Sequence, residues 1–307
     1  MDGVLVVDKP VGLTSHDVVI TARRLLGEKR IGHTGTLDPL ATGVLPLACG
    51  RATRLVRFLS AEEKEYDATI LFGVTSDTLD VTGEEISRSG ATPSRDRLTS
   101  TLRSFEGKQM QVPPSYSAKK IGGRRAYELA RRDEPVALDP VPVHVSRIDL
   151  VEYGNDRCRI SLTCSAGFYV RALVRDVGER CGTGACLETL RRTRSGDFTI
   201  EEAIDLDGLT RRRLDPSDPG SRIPDPVLET IMIPMEKLLA HFPAVTVTAE
   251  GLTRVSHGQQ VRPVDLANTT TIGTAEWVRL LDGGGALVGL GTPQRASGFL
   301  HPEVVLI

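Results

Sequence analysis

One stretch near the N-terminus holds the residue types that nucleophilic chemistry requires. Residues 30–43 read RIGHTGTLDPLATG, so a single carboxylate, Asp38, lies among three threonine hydroxyls and the imidazole of His33. A carboxylate can act as a nucleophile or as a general base. A simpler interpretation is a tight turn in which Asp38 binds only neighbouring backbone N–H groups. Both interpretations place Asp38 at the centre of this stretch.

The composition of the stretch excludes regular secondary structure. Its three glycines and one proline disfavour both a helix and a strand, so we predict a shaped loop. Pro39 disfavours the helical conformation for Asp38, which limits the directions in which the carboxylate can point. Loops positioned by a rigid scaffold frequently carry catalytic residues. Asp38 is therefore a candidate catalytic residue.

The loop closely resembles the catalytic loop of the TruB family of tRNA pseudouridine synthases. Four further segments resemble motifs of that family in the same order: residues 9–15 (KPVGLTS), 64–66 (KEY), 167–171 (GFYVR) and 190–193 (LRRT). The resemblance implies an isomerase that converts uridine 55 in the TΨC loop of tRNA to pseudouridine. Asp38 would be its nucleophile, and the target uridine would be flipped out of its stack.

The same resemblance implies roles for residues outside the loop. Tyr66 would be the active-site tyrosine that offers a flat face to the target base, and Arg171 would pair with Asp38 and lower its pKa. The implied substrate contacts are His33, Tyr66, Tyr169 and Leu190. The implied contacts to the RNA backbone are Lys119, Lys120, Arg124, Arg125, Arg191 and Arg192. One departure is Phe168, where the family usually has threonine; it concerns local packing rather than the chemistry.

Hydrophobic periodicity predicts the elements that position these residues. Alternation over residues 66–72 and again over 158–164 predicts two strands, each with one buried face. Apolar residues at helical spacing predict a helix from Ser15 to Gly27 and another that starts beside Arg171. Thr92 and Pro93 read as the start of a third helix. Residues 190–194 alone are compatible with the end of an amphipathic helix.

The predicted fold class is α+β. The resemblance implies a pseudouridine synthase catalytic domain over residues 1–240, with a central mixed, largely antiparallel sheet flanked by helices. An RNA-gripping insertion would occupy about residues 105–145. After residue 240 the pattern changes to short strands, and residues 277–290 read as a β-hairpin around a glycine-rich turn. The family places a small PUA-like RNA-binding β domain here, over residues 241–307.

Charge and composition indicate where the protein meets its partner. The formal net charge is −2, which argues against a protein that simply coats nucleic acid. Residues 103–132 nevertheless contain eight Lys or Arg and only two acids, and such segregation indicates a site for a polyanion. The five cysteines match neither a disulfide framework nor a zinc-ligand spacing. With no signal peptide or apolar membrane segment, we expect a cytoplasmic protein.

Isomerisation of uridine requires no redox partner, metal ion or external group. We therefore expect no cofactor and no metal, with the T stem-loop of tRNA as partner and a monomer that contacts neither a membrane nor another protein. Two alternatives remain. A non-enzymatic tRNA-binding protein that aids RNA folding would have no need of Asp38. An RNA-guided synthase of the archaeal and eukaryotic branch would act in a complex, although the bacterial-type motif spacing disfavours it. An aspartic protease is excluded because the chain lacks a second candidate carboxylate loop.

Overall fold

A computed structural model describes the chain except for residues 118, 122–123, 126–137, 214, 216, 219, 269–271, 273 and 295–297, and at positions 120, 121, 124 and 125 it describes only the backbone. The described residues form seven α-helices and nineteen strands. Helices α1 to α7 are Ser15–Leu26, Val56–Leu59, Arg95–Arg103, Val170–Cys181, Leu206–Arg211, Asp225–Ile231 and Ala249–Ser256. None of the helices in the described part of the chain has the length and apolar character needed to cross a bilayer.

The strands are numbered β1 to β19 in chain order. They are Gly3–Lys9, Ile31–His33, Thr42–Cys49, Lys64–Phe72, Val74–Ser76, Glu85–Arg88, Gly107–Gln111, Lys120–Ile121, Arg124–Arg125, Val141–Gly154, Arg157–Cys164, Ala185–Ser195, Phe198–Thr199, Ile204–Asp205, Met232–Pro234, Ala244–Thr246, Val278–Leu281, Leu287–Gln294 and Phe299–Val305.

Eleven of these strands form one central sheet. Its main order is β14-β1-β3-β12-β4-β11-β10-β7, and β2, β13 and β15 pair at its margins. Only the pairs β1–β14 and β3–β12 are parallel; the others are antiparallel. The predicted α+β class with a mixed, largely antiparallel sheet is therefore confirmed.

Strands β4 and β11 show how the sequence creates the core. Both predicted strands are present, and they pair antiparallel with Tyr66 opposite Leu162 and Ile70 opposite Cys158. The alternate residues of each strand belong to one buried cluster, to which helices α1 and α4 also contribute. Each strand buries one face, so the apolar residues recur at every second position.

Four features differ from the sequence-based predictions. Residues 30–43 are not a loop throughout, because Ile31–His33 form strand β2 and strand β3 begins at Thr42. Helix α1 is capped by Thr14, whose side chain accepts from the Asp17 N–H, rather than by Ser15. Helix α3 begins after its N-cap Ser94, two residues later than predicted. Residues 190–194 lie in strand β12 and not at a helix end. The placement of residues 190–194 in β12 brings Leu190 into the central sheet.

A second sheet forms the C-terminal part of the chain. It has four strands in the order β16-β17-β18-β19, and β17 and β18 form the predicted hairpin. Arg51 Nη1 donates to the Leu306 carbonyl at 2.7 Å, and Arg54 Nη1 donates to the Val305 carbonyl. Arg57 lies over the ring of Phe58. Arg51 and Arg54 thus tie the end of the last strand to the segment that follows β3.

Candidate active site

A cavity of about 250 Å³ opens beside the loop that precedes β3. Asp38 in the loop, Tyr66 on β4, Leu190 on β12, and Tyr169 and Arg171 at the start of α4 all line it. Arg192 on β12 lines it as well, so the fold brings six of the sequence-predicted site residues together from four separate elements.

Backbone and side-chain contacts fix the loop around Asp38. Ser15 Oγ accepts from the Leu37 N–H at 2.8 Å and donates to the Leu37 carbonyl at 3.1 Å. The Gly12 N–H donates to the Pro39 carbonyl at 2.8 Å. Residues on both sides of Asp38 are therefore tied to the segment that starts helix α1. The KPVGLTS motif belongs to the site because it supports the loop.

Lys9 supports the same loop from the interior. Its side chain is inaccessible to solvent. The ammonium group donates to the carbonyls of Pro10, Leu13 and Pro39 at 2.8, 2.7 and 3.4 Å. Burial lowers the pKa of Lys9 to about 8, and the nearby Asp38 opposes that fall.

Arg171 orients the Asp38 carboxylate. Its Nε atom lies 2.8 Å from Oδ2 of Asp38. Nη1 donates to the Thr78 carbonyl at 2.9 Å and Nη2 donates to the Tyr116 carbonyl at 2.8 Å. The Arg171 side chain is only 7% exposed. Because its other N–H groups are held by backbone acceptors, the guanidinium cannot turn away from Asp38.

Asp80 is a second acid near Arg171 that sequence reasoning missed. Its Oδ2 lies 3.9 Å from Nη1 of Arg171. Its Oδ1 accepts from the hydroxyls of Thr78 and Thr82 at 2.9 and 2.5 Å, so the carboxylate is held in place. A signal was present in the sequence, because this acid stands between two threonines in a polar turn. Its contact with Arg171 is a tertiary one that sequence spacing does not reveal.

Burial and charged neighbours act in different directions on the pKa of Asp38. Burial raises the pKa of the Asp38 carboxyl above its ordinary value; the Arg171 guanidinium opposes this rise, and the Asp80 charge adds to it. The predicted direction of the Arg171 effect on the Asp38 pKa is therefore confirmed, and what the sequence did not reveal is that burial and the Asp80 charge act against it. The net pKa is raised because desolvation of the carboxylate outweighs the attraction of one guanidinium that a second acid already shares.

Tyr66 and Leu190 form one wall of the cavity. Tyr66 lies opposite Arg192 on β12, and Leu190 lies two residues earlier on the same strand. Tyr66 and Leu190 are each 8% exposed, so both belong to the core as well as to the site. Burial raises the pKa of the Tyr66 phenol, and a hydrogen bond with Arg192 opposes the rise. The tyrosine therefore stays neutral in the native protein.

Tyr169 is fixed through its backbone. Gln111 on β7 accepts from the Tyr169 N–H at 2.9 Å and donates to the Tyr169 carbonyl at 3.0 Å. Burial raises the pKa of the Tyr169 phenol, and the neighbouring Ser117 hydroxyl opposes the rise. Gln111, which the sequence did not single out, thus holds the residue at which the chain enters helix α4.

Comparison with known proteins identifies the family. Residues 23–170 match the family described as "TruB family pseudouridylate synthase (N terminal domain)". Residues 171–240 match "tRNA pseudouridylate synthase B C-terminal domain", and 243–306 match "Pseudouridine synthase II TruB, C-terminal". A protein of Solibacter usitatus named tRNA pseudouridine synthase B is 38% identical over 307 residues, which is 100% of both chains. The chain belongs to the TruB family.

Other relatives agree with this assignment. A Heliobacterium modesticaldum protein of the same name is 42% identical over 263 residues, covering 84% of this chain and 81% of the relative. Among solved structures, "Crystal Structure of a Cbf5-Nop10-Gar1 Complex" contains a chain with a TM-score of 0.76 and 28% identity. That match covers 99% of this chain and 85% of the other.

Three further residues were predicted to contact the RNA: His33, Arg191 and Arg192. In this TruB family member their positions differ from one another. His33 ends strand β2, and the residues that line the cavity do not include it. Arg191 pairs with Asp8, with Nη2 at 2.7 Å from Oδ2. Arg192 is only 1% exposed and donates to the Gly35 carbonyl at 3.1 Å. Arg192 also lines the cavity, so its burial fits a contact inside the site better than a contact with the RNA backbone at the outer surface.

The basic segment that follows β7 is described only in part. Lys119 donates to the Asp139 carbonyl at 3.1 Å. Lys120 and Arg124 lie on the short strands β8 and β9, which pair with each other, and Arg125 follows on β9. The side chains of Lys120, Arg124 and Arg125 lie outside the described residues, so their contact with RNA stays a prediction.

Proposed function

We propose that this protein is a tRNA pseudouridine synthase that converts uridine 55 of the T stem-loop to pseudouridine. The observation that carries the proposal is the Asp38 carboxylate, which faces the cavity and is oriented by the Arg171 guanidinium at 2.8 Å. A carboxylate held in one direction in a recessed site is suited to nucleophilic attack. The names of the full-length relatives support tRNA as the substrate.

The reaction rearranges one nucleoside without adding or removing atoms. The bond between C1′ of the ribose and N1 of uracil breaks, the ring turns, and C5 bonds to C1′. The proton carried by C5 leaves, and N1 takes up a proton, so the product is an isomer of the substrate. Asp38 acts as the nucleophile in its ionised form. The catalytic set that we propose is Asp38, Tyr66 and Arg171.

The cavity walls fit a flipped uracil. Removing the uridine from its stack costs a few kcal/mol. Stacking on the ring of Tyr66 offsets this cost, since stacking of a base on an aromatic side chain contributes about 1–3 kcal/mol. Leu190, on the same wall as Tyr66, packs against the base, and Tyr169 contacts the same nucleoside. His33 contacts the RNA beside the position that the flipped uridine vacates.

The RNA would be held by surfaces away from the cavity. We assign the phosphate contacts to the insertion at about residues 105–145, through Lys119, Lys120, Arg124 and Arg125, with Arg191 at the margin of the site. The catalytic domain would comprise residues 1–240, and the second sheet, in residues 241–307, would be the PUA-like unit that clasps the RNA. The protein would act as a cytoplasmic monomer and bind the tRNA alone.

An RNA-guided reaction is the second candidate. The similarity to the chain of the Cbf5-Nop10-Gar1 complex, with its TM-score of 0.76, favours it. The relatives named tRNA pseudouridine synthase B are more similar, at 38% and 42% identity against 28%, and they favour action on tRNA without a guide. The two candidates differ in whether the purified chain needs another RNA.

The test uses the purified chain and an unmodified tRNA transcript, without guide RNA or other protein. We expect pseudouridine at position 55 and none in a matched transcript that carries cytidine there. Pseudouridine that forms only after a guide RNA is added would favour the second candidate. A complete lack of pseudouridine under all of these conditions would contradict both.

A further inference from the structure

Three residues on the wall of the cavity form a cluster of two cations and a hydroxyl: Lys64, Arg192 and Thr34. None of them belongs to the proposed catalytic set. Lys64 and Tyr66 lie two residues apart on β4, so they share one face of the strand. Arg192 lies directly opposite Tyr66 on β12. Gly35 covers the group, because a Cβ atom built on it would lie 3.4 Å from Nη1 of Arg192. Thr34 precedes this glycine and lines the same cavity.

The two cations of the cluster are buried without a counter-charge. Lys64 is 6% exposed and Arg192 is 1% exposed. Lys64 Nζ donates to the Ser60 carbonyl at 2.6 Å and to the Glu62 carbonyl. Arg192 donates to the carbonyls of Val44 and Gly35 at 2.7 and 3.1 Å. These backbone acceptors are all neutral.

The arginines next in sequence behave differently. Arg191 pairs with Asp8 and Arg194 pairs with Glu65, each at a distance of 2.7 or 2.8 Å. In the described part of the chain, no carboxylate forms an ion pair with Lys64 or Arg192. Burying two uncompensated charges is unfavourable. Such a pair is expected where the site must receive a negative charge.

The third member of the cluster is the hydroxyl of Thr34. This residue is 1% exposed, and its N–H donates to the Pro46 carbonyl at 3.0 Å. Its Oγ1 atom has no hydrogen-bond partner among the described residues. A buried hydroxyl without a partner is unfavourable in an otherwise satisfied core. Thr34 lines the cavity, but its Oγ1 atom is inaccessible to solvent in the structure, so the proposal requires this side chain to turn toward a bound molecule.

We propose that Thr34, Lys64 and Arg192 stabilise the negative charge that develops on uracil when its bond to C1′ breaks. This inference rests on the proposed function. When that bond breaks, its electron pair stays on the uracil ring and is shared by N1 and the carbonyl oxygens. The charge exists until C5 bonds to C1′, whichever atom Asp38 attacks. Donors fixed in advance around a developing charge lower the barrier without having to reorganise.

The position of the cluster favours the base over a phosphate as the source of the charge. Lys64 and Arg192 adjoin Tyr66 and Leu190 on the same two strands, and these are the residues to which we assign the uracil ring. The cluster lies under Gly35 and lines the same cavity as Tyr66 and Leu190. A phosphate contact there remains a distinct outcome of the test.

The test combines variants with two substrates, each a T stem-loop RNA, in single-turnover reactions at saturating enzyme. Thr34→Val removes the hydroxyl at nearly constant volume, and Thr34→Ser keeps it. Lys64→Met removes the charge, and Lys64→Arg keeps it. Arg194→Met is the matched control, because Arg194 lies on β12 but pairs with Glu65. The second substrate carries 5-fluorouridine at the target position, where fluorine withdraws electrons and stabilises the departing anion.

With uridine, we expect Lys64→Met and Thr34→Val to slow the reaction by about 10²-fold, the effect typical of removing one donor to a developing anion. Thr34→Ser, Lys64→Arg and the control should stay within about tenfold of the wild type. With 5-fluorouridine, cleavage of the N1–C1′ bond is the readout, and the rate reductions in Lys64→Met and Thr34→Val should be clearly smaller. RNA affinity should change little.

Three outcomes would overturn the inference. Normal rates in both Lys64→Met and Thr34→Val would remove the role while leaving the proposed function intact. Equal rate reductions with both nucleosides, together with weaker RNA binding and a smaller salt dependence, would assign the cluster to a phosphate. Absence of turnover in the wild type would overturn the proposed function and this inference with it.

Discussion

The Nε atom of Arg171 lies 2.8 Å from Oδ2 of Asp38, while the remaining guanidinium nitrogens donate to the backbone carbonyls of Thr78 and Tyr116. One side chain therefore joins three separate segments at the cavity. Its planar fork satisfies these acceptors simultaneously, which a lysine cannot do. The direction of the Asp38 carboxylate thus depends on groups far from it in sequence.

Arg171→Lys tests this arrangement. We expect the rate to fall by about 10²-fold because a small misplacement of a reacting group has an effect of that size. Burial already raises the pKa of Asp38, so weaker pairing should also move the acid limb of the pH–rate profile to higher pH. The matched control is Arg175→Lys, one turn later on α4, where the arginine contacts Asp176 and the Val112 carbonyl. Equal rates in both variants would contradict the proposed role.

Tyr66→Leu separates stacking from packing. A leucine keeps apolar bulk but offers no flat face, so we expect turnover per folded molecule to fall much more than RNA affinity does. Tyr66→Phe retains the ring and loses only the hydroxyl that interacts with Arg192, so it should keep more activity than the leucine variant. The measurement is turnover corrected for the folded fraction by thermal unfolding. If Tyr66 served the core alone, Tyr66→Leu would unfold at lower temperature and turn over normally.

The alternation of apolar and polar residues was sufficient to predict strands β4 and β11, because each strand buries one face. The same rule failed for β12. Arg192 is buried and Arg191 is paired at the surface, so charged residues occupy both faces and hide the period of two. A buried arginine is rare unless the fold provides acceptors for it. Those acceptors, on Val44 and Gly35, are distant in sequence.

The candidate site was predictable to the extent that its residues stand in special local sequence. Asp38 was found because it lies in a loop with glycines and a proline. Asp80 and Gln111 were not, because their contacts with Arg171 and Tyr169 are created by tertiary packing. The direction in which the pKa of Asp38 is shifted could not be predicted from the sequence either, because the burial of this carboxyl depends on the whole fold.

The buried lysines predict how stability depends on pH. Burial lowers the pKa of Lys9 and of Lys64 to about 8, from 10.5. Above pH 8 the native state loses these protons while the unfolded chain keeps them, so the contribution of the two lysines to the free energy of unfolding should rise with pH. Each lysine can contribute a slope of up to about 1.4 kcal/mol per pH unit.

The useful window is pH 8 to 9. Within it the buried thiols already act in the opposite direction, because burial raises the pKa of Cys49, Cys158 and Cys164 from 9.0 to about 12 and that of Cys186 to about 11. The informative quantity is therefore the difference in slope between the wild type and Lys64→Met, in which the thiol contributions cancel. Denaturant unfolding at about pH 8.0, 8.5 and 9.0, settings chosen to cover this window, measures the slope. Lys64→Met should show a smaller rise than the wild type. A slope unchanged by this substitution would show that Lys64 does not titrate there.

The basic segment predicts the salt dependence of RNA binding. Replacing Lys119, Lys120, Arg124 and Arg125 with Gln should reduce the slope of log K against log[salt] by about 0.7–0.9 for every phosphate that the variant no longer binds. Binding should weaken strongly at low salt and much less at high salt, while turnover at saturating RNA changes little. The control replaces four exposed arginines that lie outside the basic segment: Arg88, Arg95, Arg97 and Arg159. An unchanged slope in the test variant would mean that the charges only face solvent.

The central claim is that Asp38 is the nucleophile of a tRNA pseudouridine synthase, and Asp38→Asn tests it most directly. The amide keeps the volume of the side chain and loses its charge, so the fold and the cavity should persist. The measurement is single-turnover formation of pseudouridine in an unmodified tRNA transcript, with tRNA affinity determined in parallel. We predict no detectable pseudouridine while affinity stays within a few-fold of the wild type. Turnover by purified Asp38→Asn at the wild-type rate would contradict the account.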